Sequence, residues 1–311
     1  MKITLKSGEQ MEELVALAKN LIGPGDLKYT GDLTPQAASR IISMIFKDDF
    51  MSKITTERMT RLTKDVDVID LAPRQLVRVP QGQEPAASDH ATANAPGCKL
   101  TALDAQLFAK IKLDTLREHK DDPNLIKLVE EGFATTLHND LVDLGFNGVA
   151  DDATGANREA KFVRLNKGWL QILRDSANAK KADIDPATNG WKASLSQIIE
   201  AGDERYREQS VFIMNIADAD AYAEELNAPI TGTAMDADSP LRRYMGKQII
   251  ANGKVPQGSV LFTPIKNLVF GMHTDVRRDR EYHTIRRALE YTFDMAFDYE
   301  VAVKHAAVLG E

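Results

Sequence analysis

The sequence has one cysteine, no long apolar run and no recognisable secretion signal. Its lone thiol, Cys98, excludes an internal disulfide and fits a reducing compartment such as the cytoplasm. No stretch approaches the roughly 18 apolar residues that a membrane span requires. The first residues, MKITLKSGEQMEEL, have neither the apolar core nor the cleavage site of a signal peptide. We therefore expect a protein that does not contact a membrane.

Motifs of reaction chemistry are also missing. The sequence has no GxxxxGKS or GxxxxGKT phosphate loop, no GxGxxG, no HExxH and no GxSxG elbow. The six histidines are scattered without metal-ligand spacing, and we interpret His138 as an exposed polar residue. Cys98 has one cationic neighbour, Lys99, which is weak support for a reactive thiol, so we interpret it as a spectator. We expect no enzyme, no cofactor and no metal.

Two acidic pairs have the spacing of possible cation ligands, Asp218 with Asp220 and Asp236 with Asp238. Carboxylates at this spacing can touch a hard cation, but they also suit helix caps and turns. We interpret both pairs as caps and turns.

The chain is acidic, with 46 acidic against 39 basic residues and a net charge of −7. This balance argues against a protein whose main task is to grip nucleic acid. Two basic clusters remain, Arg277-Arg278-Asp279-Arg280 and Arg286-Arg287. They could bind nucleic acid, but the acidic residues among them favour a mixed-charge surface that meets another protein.

Residues 122–144 predict one long amphipathic helix of about 30 Å. Asp122 suits the N-cap, Pro123 the first helical position and Gly145 the C-cap. The apolar residues recur at spacings of three and four and form one stripe: Leu125, Leu128, Val129, Phe133, Leu137, Leu141 and Leu144. A helix with one apolar stripe needs another layer packed against it.

The chain before this helix divides into an arm and a ribbon. Residues 9–21 predict a short amphipathic helix, either an arm on a neighbouring molecule or a peripheral helix of its own domain. Residues 34–46 predict a second helix, ended by KDDF. DVDVIDL, QLVRVP and AQLFAKIKL alternate as strands do, around the loop QGQEPAASDHATANAPG. We expect a projecting two-stranded ribbon, which is marginal in water and so either moves or lies on a partner chain.

The chain after the long helix alternates between helices and strands. LNKGWLQILRDSA predicts a short helix, SVFIMN a buried strand and ADADAYAEELNA another helix. MGKQIIANGKVPQGSVLFTP predicts two strands and NLVFGMHT a third, which together indicate a compact α/β domain distinct from the long helix. TFDMAFDYEVAV predicts a final strand beside the long helix.

From Ser210 onward the chain resembles the C-terminal half of tailed-bacteriophage major capsid proteins with the Hong Kong 97 fold. The resemblance is carried by a strand that ends in Met-Asn before a helix, by Tyr244-Met245-Gly246, by a Pro-x-Gly turn before Val260-Leu261-Phe262, and by Phe297-Asp298 in the last strand. NKGWLQIL after the long helix also looks like one lineage of this family.

The resemblance implies an α+β fold with five parts in chain order. These are an N-terminal arm and helix in residues 1–50, an extended loop with flanking strands in 51–113, a peripheral domain in 114–191 with the spine helix at 122–144, an axial domain in 192–267, and a return to the peripheral domain in 268–311.

The function implied is that of a major capsid protein that forms the pentamers and hexamers of an icosahedral shell around double-stranded DNA. The resemblance implies a location in the virion, assembly in the host cytoplasm, portal and decoration proteins as partners, and DNA packaged without sequence-specific binding. The chain before the ribbon is too short for the fused scaffold domain of some relatives, so we expect a separate scaffold or none. Candidate contacts between subunits are Arg74, Arg78, Lys99, Arg277, Arg278, Arg280, Arg286 and Arg287. The alternatives are an encapsulin-like compartment that holds cargo enzyme and, further off, an α/β enzyme.

Overall fold

The structure is a computed structural model, and it describes residues 49–66, 70–71, 76–79, 81–84, 86, 93–94, 97–112, 125–227, 243–274, 277–283 and 288–311. The predicted arm and the predicted helix at residues 34–46 lie outside these ranges. No helix among the described residues is long and apolar enough to cross a membrane.

The described helices are Asp49–Lys53, Leu125–Asn147, Arg158–Phe162, Trp169–Asp175, Pro186–Asn189, Trp191–Ala201, Glu204–Arg207 and Ile216–Asn227. The described strands are β1 (Thr55–Met59), β2 (Thr63–Val66), β3 (Asp70–Leu71), β4 (Ala93–Asn94), β5 (Cys98–Thr101), β6 (Leu103–Lys112), β7 (Lys180–Ala182), β8 (Ser210–Met214), β9 (Arg243–Tyr244), β10 (Lys247–Ala251), β11 (Val260–Pro264), β12 (Leu268–His273), β13 (Arg277–His283), β14 (Ala288–Val301) and β15 (Val308–Gly310).

β14 is the centre of a five-stranded sheet and confirms the predicted final strand. Its last residues pair with β12 and its first residues with β13, while β6 runs antiparallel along its other edge. β1 lies parallel to β12 and forms one edge of the sheet. A 14-residue strand can serve two partners on one edge because β12 and β13 follow one another along it.

The spine helix (Leu125–Asn147) packs on one face of this sheet, as its apolar stripe predicted. The phenyl ring of Phe133 lies 6.1 Å from the ring of Tyr291 and 6.2 Å from that of Phe293. Tyr299 donates its hydroxyl to the carbonyl oxygen of Leu141 at 2.7 Å. The sheet contributes the odd-numbered residues of β14 to this core: Tyr291, Phe293, Met295, Phe297, Tyr299 and Val301.

The predicted end of the spine helix is wrong. Gly145 is inside the helix, which continues to Asn147. A Cβ atom at this position would lie 2.5 Å from Cζ3 of Trp169, so the glycine permits close packing of the two helices instead of capping one. Trp169 is fully buried and begins the helix predicted from LNKGWLQILRDSA. Asp49 and Phe50 of KDDF begin the helix Asp49–Lys53, while the helix that KDDF was predicted to end lies outside the described residues.

A six-stranded sheet forms the second layer, in the order β7-β15-β11-β8-β10-β9. Helices Trp191–Ala201 and Ile216–Asn227 cover one face, where Leu195, Phe212 and Tyr222 are buried together. The opposite face contributes Ile213, Leu261 and Leu309 to the core of the spine helix. The strand and helix predictions are confirmed here, but the predicted separation is not, because one apolar core runs between the two sheets.

NLVFGMHT lies in a different sheet from the one its pattern suggested, and two short strands that the sequence did not predict complete the six-stranded sheet. NLVFGMHT forms β12, which pairs with β14 and not with the α/β strands. β7 and β15 pair with each other and complete the six-stranded sheet, although they fall in the ranges 114–191 and 268–311. Strands of three residues carry no distinctive periodicity, so the sheet of β7 and β15 could not be read from the sequence. The domain ranges themselves stay a prediction.

The ribbon exists, but with different strands from those expected. β2 pairs with β5 and β3 with β4, both antiparallel. QLVRVP is not a strand, since residues 76–79 have no regular structure. AQLFAKIKL is not the returning strand of the ribbon, because β6 pairs with β14 in the large sheet. Alternating patterns identify extended chain, but they do not identify its partner.

Candidate functional site

The base of the extended loop (residues 63–101) packs firmly on one face of the large sheet. Leu100 and Cys98 of β5 are buried against Met59, Val269 and Ala296, on the sheet face opposite the spine helix. Ala102 donates its N–H to the carbonyl oxygen of Leu62 at 2.7 Å and closes the base. The loop therefore leaves the sheet in a defined direction.

Asp298 of β14 attaches this base through its carboxylate. The backbone N–H of Thr101 donates to Oδ2 at 2.7 Å, and that of Tyr299 donates to Oδ1 at 2.9 Å. Burial raises the pKa of Asp298 from 3.8 to about 6, although the two N–H groups act in the opposite direction. Phe297-Asp298 was only a family signature in the sequence. The only local indication that Asp298 attaches the loop was the presence of an acidic residue at a polar position of an alternating strand.

The thiol of Cys98 is interior and not reactive. Burial, and then the negative charge of Glu300, raise its pKa to about 11. The thiol is therefore protonated near neutral pH, and the thiolate is the nucleophilic form. The interpretation as a spectator is supported.

Beyond the base, the loop presents apolar side chains to solvent. Val77 is about half exposed, at 54%, and Leu76 is fully exposed. Val79 is exposed as well, and Arg78 between these valines is also exposed. Such a group of aliphatic side chains on a projecting segment is typical of a surface that another chain covers.

The predicted contact residues lie in two regions of the fold. Lys99 is exposed on β5, opposite Asp65 of β2 in register. Arg277 is exposed on β13, where Arg278 pairs in register with Phe293 and Arg280 with Tyr291. The structure thus brings three of the arginines onto one strand and places Arg78 and Lys99 on the loop. Arg74, Arg286 and Arg287 lie outside the described residues, and contact between subunits stays a prediction for all eight.

The structure also tests the predicted exposure of His138 and the predicted turn role of Asp218. His138 is buried, with 6% of its surface exposed, so its interpretation as an exposed residue is wrong. The spine helix is covered on more than its apolar stripe near this turn.

Asp218 accepts the N–H of Gly258 at 2.8 Å, in agreement with a turn role, while Asp236 and Asp238 lie outside the described ranges. No group of acidic, histidine or cysteine residues among the described residues could hold a metal ion.

Comparison with known proteins gives a match in structure but not in sequence. No protein-family model and no curated protein sequence matches the chain. The fold is similar to that of the satellite phage P4 procapsid, with a TM-score of 0.73, 15% identity, and coverage of 99% of this chain and 98% of that one.

Two further solved structures have lower scores over similar lengths. The capsid of an empty GTA particle has a TM-score of 0.54 and 15% identity, and covers 95% of this chain and 97% of its own. The holo-SrpI encapsulin complex from Synechococcus elongatus PCC 7942 has a TM-score of 0.52 and 12% identity, with 99% and 96% covered. A spine helix on a long-stranded sheet, a second α/β layer and a projecting loop, matched over nearly the whole chain, show that this protein has the Hong Kong 97 capsid fold.

Proposed function

We propose that this chain is a major capsid protein that assembles into pentamers and hexamers of an icosahedral shell around double-stranded DNA. The observation that carries the proposal is the extended loop: its base is buried against the large sheet, and its outer part exposes Leu76, Val77 and Val79. A two-stranded ribbon is marginal alone in water, so this segment gains burial only on a neighbouring subunit.

Shell formation follows from repeated contacts of this kind. A loop that lies on the next copy makes a head-to-tail contact, and such contacts close into rings when the rotation between subunits allows it. Obligate interfaces often bury about 2,000 Å² or more in total. Exposed arginines on the loop and on β13, with acidic residues beside them, would add polar contacts at the rim of these interfaces.

In this proposal the shell encloses double-stranded DNA, which the protein does not bind sequence-specifically. The net charge of −7 suits a wall to which packed DNA does not adhere. The proposal places the protein in the virion after assembly in the host cytoplasm, with a portal and, where the particle uses them, separate scaffold and decoration proteins.

The second candidate is a compartment shell that holds a protein cargo. It is favoured by the likeness to an encapsulin complex over nearly the whole of both chains. The two candidates differ in contents and not in the subunit contacts, so purified particles separate them.

The test is to treat purified particles with nuclease and then extract their contents. Double-stranded DNA that survives digestion supports the capsid. Particles that hold a bound protein cargo and no protected DNA would favour the compartment instead.

A further inference from the structure

The chain contains three Asn-Gly dipeptides, whose asparagines are Asn147, Asn189 and Asn252. Asparagine is a thermolabile residue, because the backbone nitrogen of the next residue can attack the carbon of its side-chain amide. A following glycine has no side chain to obstruct this approach. The three dipeptides lie in different local structures, so hydrogen bonding and exposure in the fold determine which of them reacts.

Asn147 is protected at both reacting groups. The N–H of Gly148, which is the attacking group, donates to the carbonyl oxygen of Leu144 at 2.8 Å, and Gly148 is buried. The side-chain amide of Asn147, which is the leaving group, donates to Asp143 and to the carbonyl oxygen of Lys254, each at 2.8 Å. Attack at this dipeptide therefore requires the loss of several hydrogen bonds.

Asn189 is protected at the backbone only. Gly190 follows the helix Pro186–Asn189, and its N–H donates to the carbonyl oxygen of Pro186 at 3.0 Å. The side chain of Asn189 is exposed, so water reaches it freely. The attacking nitrogen is nevertheless held in the last turn of the helix, and the turn must open before the nitrogen can react.

Asn252 lies in the turn after β10 and has neither form of protection. With the residues that the structure describes, the N–H of Gly253 and the side-chain amide of Asn252 donate no hydrogen bond. Gly253 is exposed and Asn252 is partly exposed. The attacking nitrogen is therefore accessible to the base that must remove its proton, and the leaving amide is not held.

The side chain of Asn252 is also fixed in a position that favours the attack. Its Oδ1 accepts the backbone N–H of Lys254 at 2.9 Å. The ring that this hydrogen bond closes contains the Gly253 nitrogen, so the side chain is folded back toward the atom that attacks it. Negative charge develops on Oδ1 during the attack, and an N–H already directed at this oxygen stabilises that charge.

We propose that Asn252 is a site of spontaneous deamidation in the folded protein. The Gly253 nitrogen loses its proton to base and forms a bond to Cγ of Asn252, and the bond from Cγ to Nδ2 breaks to release ammonia. Water then opens the resulting five-membered imide at either carbonyl group. The products are aspartate and isoaspartate, in which the main chain passes through the former side chain. This inference does not rest on the proposed shell.

The altered turn joins the spine helix to the six-stranded sheet. Lys254 accepts the amide of Asn147 at its carbonyl oxygen, and its Nζ lies 2.9 Å from Oδ2 of Asp143. The carbonyl oxygen of Val255 accepts the side-chain amide of Asn215, which follows β8. Isoaspartate adds one carbon atom to the main chain and so displaces these contacts. We expect deamidation to lower the melting temperature of the subunit by about 2–4 °C.

Peptide mapping by mass spectrometry, after timed incubation of the folded wild-type chain at mildly alkaline pH, tests the proposal. Asn252 should lose its amide about tenfold faster than Asn147 and Asn189, because its attacking nitrogen has no hydrogen bond to break. In denaturant, where the fold is absent, the three asparagines should react at similar rates. Equal rates in the folded chain, or no product at Asn252, would overturn the proposal.

Gly253→Ala is the matched variant. A Cβ atom at Gly253 would meet Cδ1 of Ile216 at 3.4 Å, an ordinary contact, and the backbone there is not left-handed. The variant should therefore fold normally, while its added methyl group slows loss of the Asn252 amide by about tenfold. It should also keep its melting temperature on incubation. A variant that loses this amide as fast as the wild type would contradict attack by the nitrogen of residue 253.

Discussion

Gly145 is where two helices approach so closely that a single methyl group would not fit. Its position in the spine helix puts the missing Cβ 2.5 Å from one ring atom of Trp169 and 2.9 Å from another. Trp169 cannot move easily, because its indole N–H donates to the carbonyl oxygen of Val269 at 3.0 Å. We predict that Gly145→Ala lowers the free energy of unfolding by about 1–3 kcal/mol, measured by chemical denaturation of unassembled subunits.

The control lies in the same helix. Gly132 is exposed, and a Cβ there would have open space around it. Gly132→Ala should raise the free energy of unfolding by about 0.5–1 kcal/mol, because alanine favours the helix. Changes of the same sign at the two positions would contradict the packing role of Gly145.

Asp298 gives the subunit a pH dependence of defined sign. Its folded pKa of about 6 is above its ordinary value of 3.8, so the folded state binds the proton more tightly than the unfolded state. The stability from this group is fully present below about pH 4 and is lost as the pH rises through 6. Relative to Asp298→Asn, the wild type should lose about 2 kcal/mol of unfolding free energy between pH 4 and pH 7. A difference that is constant with pH would refute the assignment.

At two single residues, Gly145 and His138, the prediction from the sequence was wrong. A glycine at the end of an apolar stripe indicates a helix cap, and only the position of Trp169 reveals the packing role of Gly145. A histidine near Asp140 and Asp143 on a helix indicates an exposed residue, yet His138 is buried. Both depend on elements remote in the chain, about which a local pattern carries no information.

The extended loop is the element whose removal should separate folding from assembly. Deleting residues 81–96 removes β4 and the tip but keeps β2 paired with β5 and Asp298 bonded to Thr101. The unassembled subunit should therefore unfold at nearly the same denaturant concentration as the wild type. Shells should fail to form or should form in low yield, because the deleted tip is part of the loop that is expected to lie on the neighbour.

Sedimentation of assembly mixtures, together with unfolding of the subunit, distinguishes these outcomes. Shells of normal yield and thermal stability from the deletion variant would contradict an intersubunit role for the tip. A subunit that is itself strongly destabilised would show that the tip contributes to its own fold.

β13 is the second element with an expected contact. Arg278 lies on this strand, which pairs on one side with β14. We predict that Arg278→Glu lowers the melting temperature of assembled capsomers more than that of isolated subunits, because reversed charge acts at the interface. Scanning calorimetry of both forms measures the difference. An equal shift in the two forms would remove Arg278 from the contact surface.

At the level of elements, long periodic segments were predictable and pairings were not. Spacings of three and four identified the spine helix, and alternation identified β14, because each segment has one face that must be buried. QLVRVP alternates equally well, but residues 76–79 form no strand. The residues that hold the loop base, Thr101 and Asp298, lie almost 200 positions apart, so their hydrogen bond has no local signature.

The described part of the molecule combines two sheets with the base of the extended loop. Its two sheets share one core, since Ile213 and Leu309 of the six-stranded sheet are buried with Leu141 and Phe270. Asn147 and Lys254 reinforce the junction, because the amide of Asn147 donates to the carbonyl oxygen of Lys254 at 2.8 Å. A body held by one core suits a wall unit, and the proposed contact of the loop with a neighbour would join such units.

Electron microscopy of the expressed chain across a range of protein concentrations tests the central claim most directly. The account predicts closed shells of defined diameter, or pentameric and hexameric rings that merge into shells as the concentration rises. A single population of monomers or dimers at every concentration, seen both in micrographs and in size-exclusion chromatography, would contradict it.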